Sequence, residues 1–220
     1  MFTKRLNDEI RIKELLGKKD PIILELGANI GRTAKCLLKC FPHVKLFCFE
    51  PDPRNILAFK KNVQDSRCKL IEKAVADVDG GVLLNQSCGH WPGQPASCVH
   101  TESSTIKGTT KHTELHKWMG YLPPISVLAT RLDTWRKQNE IDIIDFIWAD
   151  VEGAEEELLK GAQDALAHTR YFYTEYTDLE MYDGEITLAE IKKLLPGFTM
   201  VQCWPRDVLF RNDRLYKCEH

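Results

Sequence analysis

Residues 21–31 read Pro-Ile-Ile-Leu-Glu-Leu-Gly-Ala-Asn-Ile-Gly, and a helical pattern of apolar residues follows from 32 to 41. No other stretch restricts the fold so strongly. The apolar run lacks in–out alternation, so it suits a strand covered on both faces, as in a parallel sheet flanked by helices. Gly27 lets the backbone turn away from the strand, and Gly31 allows close approach at the start of the helix. Strand, glycine turn and helix in that order form the opening unit of an α/β fold.

The alternation continues down the chain. Residues 44–49 make a second buried-type strand ending at Glu50 and Pro51, and Pro53 suits the first turn of a helix running to about residue 64. Strands are predicted at 69–75, 126–130, 143–149 and 171–176, and helices at 132–139, 152–167 and 187–195. Segments 198–203 and 208–211 read as a closing hairpin, which adds an antiparallel strand. Residues 1–20 carry Leu6, Ile10, Leu15 and Leu16 near helical spacing and read as a leading amphipathic helix. The expected fold class is a three-layer α/β/α sandwich, and 220 residues suit one domain spanning 1–220.

Residues 86–124 differ from the rest. They are rich in Gly, Ser, Thr, Pro and His and show no clear period, the signature of a functional loop, lid or insert on the substrate side. Four of the seven histidines lie there, His90, His100, His112 and His116, with Trp91, Trp118 and Tyr121. These aromatics suit either a sugar-stacking face or the insert's own small core. His112 and His116 are four residues apart and would share a helix face, the spacing of a metal pair, although no other ligand motif accompanies them.

Charge and cysteine content narrow the function classes. Thirty Lys+Arg against 32 Asp+Glu gives a formal net charge of −2, which lacks the positive field of a nucleic-acid binder. The eight cysteines are scattered, with no C-x-x-C pair, and Cys36 and Cys40 read as packing residues on one helix face. Residues 1–20 carry no signal-peptide core, and no stretch approaches the roughly 20 apolar residues of a membrane span. A cytoplasmic protein with reduced thiols is expected.

In open α/β sheets, ligands collect at the carboxyl ends of the strands. Glu25 to Gly31 lies at one such end, with two glycines rather than the three of the dinucleotide fingerprint. Glu50 lies 19 residues after Gly31 at another end, where an acid accepts hydrogen bonds from ribose hydroxyls. The pair points to a ribose-bearing cofactor. Asp150-Val-Glu-Gly-Ala-Glu155 follows the strongest strand, and Glu175 ends the next, near Asp178. Helix capping accounts for one of these acids but less well for the cluster. Asp150, Glu152 and Glu175 are therefore candidates for proton removal, and a magnesium ion between Asp150 and Glu175 is a further candidate arrangement.

Several of these segments, taken together, resemble the FkbM family of S-adenosylmethionine-dependent methyltransferases. They are Glu25-Leu-Gly-Ala-Asn-Ile-Gly31, Phe49-Glu-Pro51, Ala74-Val-Ala-Asp77 with Gly80, Leu132-Asp133, the stretch from Ile144 to Ala162 and Asp207 to Asn212. The resemblance implies a Rossmann-like class I methyltransferase sheet of seven strands in the order 3-2-1-4-5-7-6, with strand 7 antiparallel. It implies cofactor contacts at Glu25, Gly27, Ala28, Asn29, Gly31, Glu50, Pro51 and Asp150, with Ala74 and Asp77 on the adenine side. Trp148 stands where the family often has Lys, and Glu25 where Asp is common. The implied reaction is O-methylation of a sugar, glycan or other small molecule, with a glycosyltransferase as an expected fused or associated partner. N-methylation, RNA methylation and non-catalytic cofactor binding are the alternatives.

Overall fold

The structure, a computed structural model, describes residues 12–90, 92, 93 and 99–217. Leu6, Ile10, Trp91, Cys98 and Cys218 lie outside the described residues, as does most of the expected leading helix. The chain runs through α1 (12–16), β1 (Ile22–Leu26), α2 (Arg32–Cys40), β2 (Lys45–Phe49), α3 (Pro53–Asn62) and β3 (Cys68–Ile71). There follow β4 (Ala74–Val75), β5 (Gly80–Leu84), α4 (Thr110–Leu115), β6 (Ile125–Thr130), α5 (Leu132–Gln138) and β7 (Ile144–Ala149). The last third holds α6 (Glu155–Gly161), α7 (Gln163–Ala167), β8 (Thr169–Glu175), α8 (Leu188–Leu194), β9 (Phe198–Cys203), β10 (Asp207–Asn212) and α9 (Asp213–Lys217).

Seven strands pair in the order β3-β2-β1-β7-β8-β10-β9. Counted among these seven strands alone, that is the expected 3-2-1-4-5-7-6. β10 is antiparallel to both neighbours, and the remaining pairs of this sheet are parallel. Successive side chains of the central strands enter opposite cores, which explains the absence of in–out alternation in their sequences. Leu24, Leu26, Ile144 and Ile147 pack with Leu158, Ile191 and Trp135 on one face. Ile23, Phe146 and Trp148 pack with Leu37, Phe41 and Phe59 on the other. Each fully buried Leu, Ile or Phe contributes about 1.5–3 kcal/mol, so these two faces dominate the stability of the sandwich.

Two expectations need correction, and one strand was not foreseen. Segment 69–75 is not one strand: the chain turns where Lys73 N–H donates to Ile71 O, and β4 leaves for a small second sheet of order β4-β6-β5. β5 escapes a sequence reading because it opens on Gly80-Gly81 and is mostly exposed, with only Val82 and Leu84 turned inward. Segment 152–167 is not one helix. Glu152 and Gly153 have φ of 51° and 87°, so α6 starts only at Glu155. It stops at Gly161, where a Cβ would stand 2.0 Å from Ala76 O, and this close packing against β4 separates α6 from α7.

Two features of β1 set its surroundings. At Gly27, φ is +85° and a Cβ would stand 1.8 Å from the Asp150 carbonyl oxygen, so the turn and the end of β7 are in backbone contact. Glu25 is buried between Cys48 and Trp148, its partners in register on β2 and β7, and accepts a hydrogen bond from Cys48 Sγ at 3.1 Å. Burial raises its pKa to about 8; the Cys48 thiol opposes the shift, and negative charge at Asp150 and Glu50 adds to it.

Gly27→Ala should lower stability by about 3 kcal/mol or more, since it adds both a positive-φ penalty and a backbone clash. A loss under about 0.5 kcal/mol in urea unfolding would show that the turn relaxes. Glu25 has a folded pKa above its unfolded value, so its contribution is complete below about pH 4.5 and is lost as pH rises through about 8. Glu25→Gln carries no charge to bury. Its thermal midpoint should match the wild type near pH 5 and exceed it near pH 9, and parallel pH profiles would refute the burial argument.

Candidate active site

Strand order reverses between β1 and β7, and the carboxyl ends of β2, β1, β7 and β8 open on the same side of the sheet. A crevice at such a reversal is where α/β sheets bind ligands. The glycine turn occupies the middle of it. Gly27 and Ala28 N–H both donate to Phe49 O, at 3.0 and 2.9 Å, so the turn is tied to the end of β2. Asn29 follows with φ of 47°, a conformation Asn tolerates, and its side chain accepts from Ile30 N. A Cβ on Gly31 would stand 2.5 Å from Val63 Cγ2 and 2.9 Å from Phe59 Cδ2, so α2 starts in contact with α3.

Glu50 is the acid of this region. It is buried; Oε2 accepts from Asn29 N at 2.7 Å, and Oε1 from Asp52 N at 2.8 Å and Asn55 Nδ2 at 3.4 Å. Burial raises its pKa to about 7, against the lowering effect of those donors. Pro51 follows, half-buried, before the N-cap of α3.

Sequence reasoning missed the neighbour that holds this corner together. Asp52 is fully buried, caps α3 through Arg54 N, and accepts from Arg54 Nη2, Gln86 Nε2 and Ser104 Oγ at 2.6, 2.8 and 2.9 Å. Burial pushes its pKa up, but the Arg54 and Ser104 donors prevail and keep it below the usual value. An Asp directly before Pro53 was a legible cap signal; its partners Gln86 and Ser104 were not. Segment 86–124 thereby docks on the crevice, with Thr101 O accepting from both Asn29 Nδ2 and Asn55 Nδ2.

The acids after β7 and β8 form a second group. Asp150 N–H donates to Leu26 O at 2.9 Å, which places Asp150 beside Gly27. Glu152 Oε2 accepts from Tyr182 Oη at 2.6 Å, and its carbonyl accepts from Thr105 Oγ1 at 2.7 Å. A left-handed conformation at a non-glycine residue costs on the order of 1–3 kcal/mol, and these two bonds hold Glu152 in it. Burial and then the charges of Asp150 and Glu175 push the Glu152 carboxyl well above its ordinary pKa. The structure thus brings Asp150, Glu152 and Glu175 within electrostatic reach of one another. Glu155 is buried beside them and rises to about 8, chiefly by burial.

Other expected residues make contacts of their own. Ala74 is buried and pairs with Ala129 in the small sheet, while Asp77 is exposed beside Lys160 at the last turn of α6. No hydrogen bond among the described residues joins either to the Glu50 network. His112 and His116 do pack ring to ring at 5.1 Å, but His112 Nδ1 shares a hydrogen bond with Tyr121 Oη at 2.6 Å. Among the described residues no group of three or more His, Cys, Asp or Glu side chains is arranged to hold a metal ion, around the His pair or between Asp150 and Glu175. His100 packs edge-on against Trp118 at 5.4 Å, and Trp118 stays half-buried. Trp148, in the place of the family's frequent lysine, is buried against the Tyr173 ring at 4.4 Å.

Comparison with known proteins agrees with this geometry. The sequence profile described as "Methyltransferase FkbM domain" matches residues 25–204. A 2-O-methyltransferase, NoeI, of Sinorhizobium fredii is 38% identical over 218 residues, covering 97% of this chain and 88% of that protein. Methyltransferase 1 of Beauveria bassiana is 23% identical and covers 80% of this chain and 70% of its own length. Among solved structures, the magnesium protoporphyrin IX methyltransferase of Synechocystis PCC 6803 superposes with a TM-score of 0.52 at 10% identity, over 95% of this chain and 78% of that one. A putative O-methyltransferase of Klebsiella pneumoniae gives 0.50 at 14% identity, over 94% and 80%. At such identities the two structures show a shared fold and nothing more. The profile match and the NoeI relationship go further: the chain belongs to the FkbM family and is an S-adenosylmethionine-dependent methyltransferase.

Proposed function

We propose that the protein methylates a sugar hydroxyl, on a glycan or a free small molecule, and that the acceptor proton is taken by the acids beyond β7. The observation that carries this reading is the meeting of the Glu50-bound glycine turn with Asp150, Glu152 and Glu175 at one end of the sheet. The residues present fit the cofactor. Gly27 and Gly31 keep the turn free of side chains where none has room. Glu50 Oε1 already accepts from Asp52 N and Asn55 Nδ2, whereas Oε2 accepts from Asn29 N and retains acceptor capacity for a ribose hydroxyl. Glu25, Ala28, Asn29 and Pro51 complete this side, and Ala74 and Asp77 border the adenine in the same reading.

S-adenosylmethionine supplies an activated methyl group on a sulfonium, and the acceptor oxygen loses a proton as it gains that group. The chain's task is to hold the hydroxyl about 3 Å from the methyl carbon and to receive the proton. Glu152 suits the second role, because burial beside Asp150 and Glu175 gives its carboxylate a high proton affinity. A positioned base contributes about 10²–10⁴-fold to such a reaction. Asp150, whose backbone is fixed beside Gly27, contacts cofactor or acceptor in this reading.

Oxygen is favoured over nitrogen as the acceptor atom by the relationship to a 2-O-methyltransferase. The net charge of −2 disfavours RNA. A sugar suits segment 86–124, which puts the half-buried Trp118 beside His100 and His116. A glycosylated acceptor places the enzyme after a glycosyltransferase, in association with it or fused to it. No helix among the described residues is long and apolar enough to cross a membrane, and six described cysteines are free thiols. Both features suit the cytoplasm.

Calorimetric titration tests the cofactor: S-adenosylmethionine and S-adenosylhomocysteine should bind at micromolar levels, and ATP and NAD should not. A folded protein that binds neither adenosyl compound would sink the reading. Glu50→Gln should weaken S-adenosylmethionine binding by about 1.5–3 kcal/mol, the loss of hydrogen bonds to a charged group. Unchanged affinity would remove Glu50 from the ribose. Asp150→Asn should lower turnover more than cofactor affinity if it contacts the acceptor, and equal losses would place it on the cofactor alone.

A further inference from the structure

We infer that Tyr182 is a positioning residue for Glu152, supported from behind by Tyr121 and His112, and that this clasp singles out Glu152 among the three carboxylates as the acceptor of the proton. The inference rests on the methyl-transfer reading of the same site. Asp150, Glu152 and Glu175 lie close enough to perturb one another, so charge alone does not choose between them. Backbone geometry does. Glu152 is held at φ 51°, and the adjacent Gly153, at φ 87°, leaves the space that the Tyr182 ring fills: a Cβ on Gly153 would stand 2.5 Å from Tyr182 Cδ2.

The clasp closes from two directions. Thr105 of segment 86–124 binds the Glu152 carbonyl, while Tyr182, from the segment after β8, binds Oε2. Oε1 accepts no hydrogen bond from the described residues and is left for a substrate hydroxyl. Tyr182 is itself fixed. It is buried, its ring lies 4.7 Å from His112, and its hydroxyl lies near that of Tyr121. Tyr121 Oη is held in turn by His112 Nδ1 at 2.6 Å and Ser103 O at 3.2 Å. Burial, then the neighbouring His116, His100 and Arg206, keep His112 neutral, so the row ends in an uncharged imidazole. A row of neutral groups steadies the carboxylate without cancelling its charge, as a cation at the same place would. Segment 86–124 contributes Ser103, Thr105, His112 and Tyr121, so its docking and the aim of Glu152 are one event.

Tyr182→Phe keeps the ring and removes the hydroxyl. In protein carrying [δ-13C]Glu, the Glu152 carboxyl resonance, assigned by its loss in Glu152→Gln, should move on Tyr182→Phe and by less on Tyr121→Phe. An unmoved resonance in a folded variant overturns the clasp. This readout needs no acceptor, so its failure is distinct from failure to bind S-adenosylmethionine. Methyl transfer from S-adenosylmethionine to a mixture of methyl hexopyranosides then completes a double-mutant cycle. Tyr182→Phe should lower kcat about tenfold, leave the S-adenosylmethionine Kd within about twofold, and have no further effect on Glu152→Gln. Equal losses in both backgrounds, or a parallel loss of cofactor affinity, would show Tyr182 to be a packing residue.

Discussion

The backbone contact between the end of β1 and the end of β7 is the constraint on which the site depends. Asp150 N–H donates to Leu26 O, and the Asp150 carbonyl lies where a side chain on Gly27 would have to be. This contact puts the glycine turn and the acidic segment next to each other although more than a hundred residues separate them. It follows from strand order: β1 has β2 on one side and β7 on the other, so their carboxyl ends form a single rim.

The described part of segment 86–124 docks on that rim through polar contacts. Gln86 and Ser104 bind the buried Asp52, Thr101 binds Asn29 and Asn55, and Thr105 binds Glu152. The acids respond to burial in opposite ways. Asp52 meets enough donors to stay ionised, whereas Glu25, Glu50, Glu152 and Glu155 are raised because burial outweighs their hydrogen bonds. Raised carboxyls gathered at a strand-end crevice are a common feature of functional sites, in keeping with the methyltransferase family to which the chain belongs.

Much of the fold was legible because the buried strands leave apolar runs that nothing else explains. β1, β2, β7 and β8 were each readable to within about two residues, and the family pattern added the strand order. The errors share a cause. β4 has only two residues and β5 is mostly exposed, so neither leaves an apolar run of its own to announce it. The break between α6 and α7 depends on Ala76 O, which approaches Gly161 from a distant part of the chain. In the site, Gly27, Glu50, Asp150 and Glu152 stood out by position at strand ends. Tyr182 did not: one tyrosine in a polar loop carries no mark of the carboxylate it meets.

The sequence by itself determined the layered α/β class, the glycine turn, the acids at the strand ends and the family, because each depends on residues close together in the chain. Only the tertiary structure decided which acids face one another, that segment 86–124 is pinned to Asp52 and Glu152, and that Tyr182, Tyr121 and His112 line up behind Glu152. The physical reason is range. Local pattern sets a strand or a turn, but the charge and direction of Glu152 and Asp52 depend on donors distant in sequence, Tyr182 for the first and Gln86 and Ser104 for the second.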